Sequence, residues 1–199
     1  MELDQAIRRR HMVRDLSDEP VPRAVVDRIL RHALHAPSAG FTQGVAFVVL
    51  EGAEQTGSFW RAVWAPELEP YRRRWPGLQR APVIILPLTS ERAYLERYAE
   101  EDKARTGLSV PERWPMPYWL VDAAFASMLI LLSAVDQGLG GSFFAIARGE
   151  ARLLEELGVP GDLRPIGAIA LGYPRSHDTS RSVLRGRRPL EELVHRGRW

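Results

Sequence analysis

Arg8, Arg9, Arg10, His11 and Arg14 form the densest positive cluster of this 199-residue chain. Guanidinium groups fork two hydrogen bonds to phosphate oxygens, and a phosphate monoester carries a charge of about −1.5 to −2 at pH 7, so two or three arginines match one such group. The same cluster reads equally as the solvated end of a helix. A second cluster, Arg185, Arg187, Arg188, Arg196 and Arg198 with Arg181 at its head, is interleaved with Leu190, Leu193 and Val194. A disordered basic tail would not carry the patterned segment PLEELV, so part of it is expected to pack. The two clusters could meet on one ligand or form a nucleic-acid stripe.

Other chemistries find less support. The chain has no cysteine, which excludes disulfides, thiolate nucleophiles and cysteine-ligated metals. His32 and His35 stand i, i+3 without a third ligand or an HExxH pattern, so no metal is expected. No GxSxG elbow supports a hydrolase triad. The glycine run at 138 to 141 follows a helix and is not GxGxxG, against a dinucleotide-binding Rossmann unit. The formal net charge is only +2, which weakens the nucleic-acid reading. Lys103 is the only lysine, and a GC-rich genome accounts for most of that arginine bias. Glu96, Tyr98, Asp102 and Lys103 read as a solvated face, with a substrate role for Tyr94, Tyr98 or Trp114 left open.

The elements that would position these groups follow from periodicity. Residues 2 to 10 form a helix, with Leu3, Ala6 and Ile7 on one face, and Pro22 opens a second that Pro37 to Gly40 end. Val45 to Leu50 and Val83 to Leu88 are apolar runs suited to strands buried on both faces, Pro87 making the second less regular. Gln55 to Trp64, Pro66 to Trp75 and residues 90 to 105 are helical. Tyr118 to Gln137 is a long apolar helix, shorter in its apolar core than a membrane span and read as buried. Gly138 to Ser142 then force a turn, Leu153 to Leu157 lie in a short helix, and Ile166 to Leu171 form the last strand. The opening MELDQAIRRRH lacks the apolar core of an export signal, so a cytoplasmic protein of one domain, residues 1 to 199, is expected. Helices of irregular length between strands predict an α+β fold around one sheet.

Four segments, in order, resemble the nitroreductase family. IRRRHMVRDLSDEPVP resembles the opening in which Arg-Arg-Ser-x-Arg-x-Phe grips the phosphate of flavin mononucleotide (FMN). Arg10, His11, Met12 and Arg14 fall on that pattern, with His11 and Met12 in place of the second Arg and the Ser. HAPSAGFTQG is similar to Ala-Pro-Ser-x-x-Asn-x-Gln-Pro-Trp, a turn that lies against the flavin, often from the partner subunit. Pro37, Ser38, Ala39, Gly40 and Gln43 carry over, whereas Phe41 replaces the Asn and would face substrate. YWLVDAAFASMLILLSAVDQGLGGSFF resembles the central helix and the Gly-Leu-Gly turn whose backbone amides reach the flavin ring, pointing to Gly140, Gly141, Ser142 and Phe143. IGAIALGYP and RGRRPLEELVHRGRW resemble the last strand and closing tail, in which Arg185 and Arg187 would complete the phosphate grip. Residues 53 to 116 carry no family signature.

The resemblance implies a central mixed or antiparallel sheet flanked by helices, and a homodimer with FMN at its interface. It implies that FMN takes a hydride from NADH or NADPH and reduces a nitroaromatic, quinone or related small acceptor, with no dedicated catalytic side chain. A deazaflavin donor is compatible with the same residues. Same-fold alternatives are a dehydrogenase or dehalogenase, and another class is a flavin-storage protein without catalysis.

Overall fold

The computed structural model describes residues 1–176 and 181–199. In chain order, the elements are α1 (Leu3–Arg9), α2 (Arg23–Ala33), β1 (Val45–Glu51), α3 (Gly52–Val63), α4 (Glu69–Arg74), β2 (Val83–Thr89), α5 (Glu91–Ala99), α6 (Tyr118–Asp136), β3 (Gly140–Phe144), α7 (Glu150–Glu156), β4 (Arg164–Pro165) and β5 (Ala168–Gly172). The strands form one antiparallel sheet in the order β1-β2-β5-β3, with β4 pairing β2 beyond the end of β5. This is the expected α+β architecture.

The period-2 alternation of a strand divides β2 between two cores. Ile84, Leu86 and Leu88 face Phe59 and Ala62 of α3 and Leu153 of α7. Val83 and Ile85 face Val26 and Ile29 of α2 and Ala126, Ile130 and Ala134 of α6. Every residue of β2 is buried, whereas β1 is an edge strand and mostly half-buried, so the expectation of two buried faces holds for the second run and not the first. Pro87 survives inside β2 because its ring nitrogen lies on the side where its carbonyl accepts from Ile166, at the break between β4 and β5. No continuous partner strand there requires an N–H.

Two expectations fail locally. Gly138 to Ser142 were expected to be a turn, but only Gly138 adopts a left-handed backbone, at φ 74°, and Gly140–Phe144 is strand β3. Glycine runs read as breakers, yet here the missing Cβ atoms permit close packing. A Cβ on Gly140 would lie 2.8 Å from Val13, and one on Gly141 would lie 2.9 Å from Leu131 and Leu171. The helix expected to be buried, α6, is buried along one side only, with Tyr118, Phe125 and Met128 exposed at i, i+7 and i+10. Apolar composition reports total hydrophobicity, not which face has a partner.

Candidate functional site

The arginine segment leaves α1 at Arg10, the residue that caps its C-terminus, and runs as extended chain along the free edge of β3. Met12 bridges Gly141 in parallel, the Val13 N–H donates to the Gly141 carbonyl at 3.0 Å, and the Phe143 N–H meets the Met12 sulfur at 3.4 Å. The first and third of the segments singled out in the sequence are therefore in contact. Their contact also uses up groups expected elsewhere. The Phe143 amide faces Met12, and Ser142 is fully buried on the sheet face shared with Ala170, its hydroxyl unpaired.

Two guanidiniums of this segment have different surroundings. Arg10 is half-buried, and its Nη1 is fully shielded with no hydrogen-bond acceptor. Buried donors are nearly always paired, so among the described residues this nitrogen is left open to an acceptor from outside the chain, water or ligand. Arg14 lies over the Trp75 ring at 5.0 Å, and Arg74 lies over the same ring at 5.1 Å, so one indole holds two cations near one another. Asp15 pairs with Arg80, whose Nε also donates to the Leu16 carbonyl at 3.2 Å. Gly77 packs so tightly below that a Cβ there would stand 2.5 Å from the Arg14 carbonyl oxygen. The segment is thus clamped between β3 and the 75–80 turn. His11 turns its Nδ1 back to donate to the Arg9 carbonyl at 2.9 Å.

The 38–43 turn is held from a different direction. Gly40, Phe41 and Gln43 all have left-handed φ, at 63°, 54° and 53°. For Phe and Gln this conformation is uncommon and costs about 1 kcal/mol or more, and it persists only where the surroundings impose it. The Ser38 hydroxyl accepts the Gln43 N–H at 2.9 Å, and Asp122 of α6 accepts the Ala39 N–H at 2.8 Å. The same Asp122 oxygen accepts the Tyr94 hydroxyl at 2.8 Å, and both side chains are buried. Burial first, and then the bond to Asp122, raise the Tyr94 hydroxyl above its ordinary pKa, so it stays a donor. Arg97 donates to the Gly40 carbonyl at 3.0 Å and grips Asp102 with two nitrogens, which holds that carboxyl below the usual range. The result presents Phe41 to solvent, 76% exposed.

Two of the carried-over arginines stand apart. Arg185 and Arg187 are exposed, and among the described residues the tail's hydrogen bonds and ion pairs stay within the tail, as between Arg188 and Glu192. The Arg181 side chain lies outside the described ones. Among the described residues, no hydrogen bond or ion pair joins Arg185 or Arg187 to Arg10. Pro37 precedes the held turn and, with Ser38, Gln43 and Asp122, lines a cavity of about 140 Å³.

Most residues that do the holding carried no functional expectation, and Tyr94, for which a substrate role was left open, instead holds the turn through Asp122. Asp122 had a signal, being the single acid inside the apolar run YWLVDAAFASML, where an unpaired carboxylate would be expensive. Tyr94, Arg97, Trp75, Arg74 and Gly77 had none, since their partners are distant in sequence. Among the described residues no cluster of acidic and histidine side chains could hold a metal ion.

This chain has relatives. The family model described as the Nitroreductase family matches residues 7–173. A protein of Methanothermobacter thermautotrophicus, provisionally named an NADH dehydrogenase/NAD(P)H nitroreductase, is 27% identical over 92% of this chain and 83% of its own length. Human iodotyrosine deiodinase 1 is 22% identical over 97% of this chain and 68% of its own. A crystal structure from Desulfovibrio desulfuricans, of a provisionally named nitroreductase in complex with FMN, superposes with a TM-score of 0.69 at 27% identity, covering 100% of this chain and 98% of that one.

Proposed function

The chain belongs to the nitroreductase family, and from that premise we propose an FMN-dependent oxidoreductase that draws electrons from NADH or NADPH and reduces a small acceptor such as a nitroaromatic or quinone. The carrying observation is the shielded, acceptorless Nη1 of Arg10, which suits the phosphate of FMN. The relative solved with FMN supports the same group. When bound, FMN supplies the hydride-accepting and hydride-donating ring.

The protein's own part is to hold and orient. Arg10 would hold the phosphate through its free nitrogen, and Arg14, steadied on Trp75, would add positive charge nearby. The 38–43 turn presents Phe41 as an apolar surface for a flat acceptor, and Asp122, Tyr94 and Arg97 keep it in that conformation. No side chain at the turn needs to transfer a proton for this role.

The working unit in this reading is a homodimer. The exposed stripe of α6 and the exposed Leu184, Leu190 and Leu193 of the tail offer apolar surface for a partner chain to cover. A partner's tail would carry Arg185 and Arg187 to a site with which, among the described residues, the chain's own tail makes no hydrogen bond or ion pair. Likeness to a deiodinase, together with Phe41 in place of the usual polar residue, favours reductive dehalogenation as the second reading. Anaerobic assays with NADH or NADPH against menadione, nitrofurazone and an iodinated phenol separate the two. NAD(P)H oxidation with none of the three, by FMN-loaded dimeric protein, contradicts both.

A further inference from the structure

A cavity of about 300 Å³ opens between α3, α4 and the turn that follows, with the rings of Trp60, Trp64, Tyr71 and Trp75 among its walls and Arg61 and Arg72 on its lining. A second cavity of about 250 Å³ adjoins it and shares Trp60 and Tyr71. The size lies at the lower end of small-ligand pockets. We propose that this cavity is a binding site for a planar aromatic carboxylate of one or two rings.

Aromatic walls favour a flat guest, because rings meet edge-to-face or offset at centroid separations of about 4.5–7 Å and gain beyond simple burial. The lining cations set its charge. Arg72 lies over the Trp64 ring at 4.9 Å and reaches its nearest carboxylate, Glu69, only at 3.8 Å. Among the described residues Arg61 has no ion-pair partner, and no acidic side chain lines the cavity. Arg61 and Arg72 both line the cavity, and a carboxylate reaching either would meet forked donors without displacing a strong pair. Trp60 lines both cavities and stacks on Phe144 at 5.6 Å, and its shielded indole N–H has no partner among the described residues. An apolar packing flaw would explain the volume, but not two lining cations and an unpaired buried donor together.

The site shares Trp75 with Arg14 and Arg74 but stands on its own residues, so its test does not depend on flavin binding. Isothermal titration with indole-3-acetate, and with its neutral isostere indole-3-acetamide, is run on the protein as purified and again in excess FMN. Saturable binding of the acid in both conditions, about tenfold tighter than the amide and weakened by about tenfold in an Arg61→Gln, Arg72→Gln double variant, is the expected result. Trp64→Ala should weaken acid and amide together. Both arginines are on the surface, and unchanged melting of the double variant confirms that it is folded. Absence of binding, equal affinity for acid and amide, or loss of acid binding in excess FMN would each overturn the proposal.

Discussion

Replacing Asp122 by alanine tests how the 38–43 turn is maintained. One buried oxygen accepts both the Ala39 N–H and the Tyr94 hydroxyl, each at 2.8 Å, and Asp122 is 3% exposed. Removing it deserts two buried donors, each costing about 1–3 kcal/mol, so the loss is about 2–6 kcal/mol. For a domain of this size each kcal/mol lowers the melting temperature by about 2–4 °C, so a drop of roughly 4 °C or more is expected. Tyr94→Phe alone removes one donor and should cost about 0.5–1.5 kcal/mol. Because the two residues share a bond, the double variant should be less destabilised than the sum, with a coupling of about 0.5–3 kcal/mol. The turn gives a second readout, since releasing Ala39 frees Phe41 from its left-handed backbone, and kcat/KM for the acceptor should fall more than that for NAD(P)H. Differential scanning calorimetry and steady-state kinetics measure both. An Asp122→Ala protein melting within about 1 °C of wild type, with acceptor kinetics unchanged, would refute the reasoning.

The other predictions concern separate contacts. The Tyr94 hydroxyl is held above its ordinary pKa, so the unfolded chain loses that proton first as pH rises. The associated stability is therefore complete below about pH 10 and declines above it, and Tyr94→Phe should remove one proton's worth of that alkaline slope in denaturant titrations. Gly77→Ala would place a methyl against the backbone of Arg14 and Asp15, at 2.5 Å from each, and should cost about 1–3 kcal/mol while weakening FMN retention. Phe41→Asn suits the left-handed φ of 54° better, and should raise stability by up to about 1 kcal/mol while changing acceptor KM. Phe125→Glu with Met128→Glu on the exposed side of α6 should convert a dimer to monomers in sedimentation velocity, and a wild type that is already monomeric contradicts the proposed interface.

What the sequence disclosed depended on range. Helices α1 and α2 announce themselves by apolar residues at the helical period, strands β1, β2 and β5 and helix α6 by continuous apolar runs, and the match at Arg10 to Arg14 is likewise local. Strand β3 was read as a turn because Gly140 and Gly141 are there for close packing against Val13, Leu131 and Leu171, and nothing local distinguishes that need from a turn's. The pairing of Arg14 with Trp75, and of Tyr94 with Asp122, joins residues far apart in the chain, so neither left a pattern in either segment. Residues 53 to 116 looked blank for this reason. They supply α5, which braces one turn, and Trp75, which steadies an arginine at the other.

The central claim is that Arg10 holds the phosphate of FMN, and the most direct measurement compares FMN with riboflavin, which lacks that phosphate, by fluorescence titration of flavin-free wild-type and Arg10→Ala protein. Loss of one charge-assisted contact of about 1.5–3 kcal/mol predicts FMN binding weakened by roughly tenfold or more in the variant, with riboflavin affinity nearly unchanged. Wild-type protein that takes up no FMN, or that binds FMN no more tightly than riboflavin, would contradict the account.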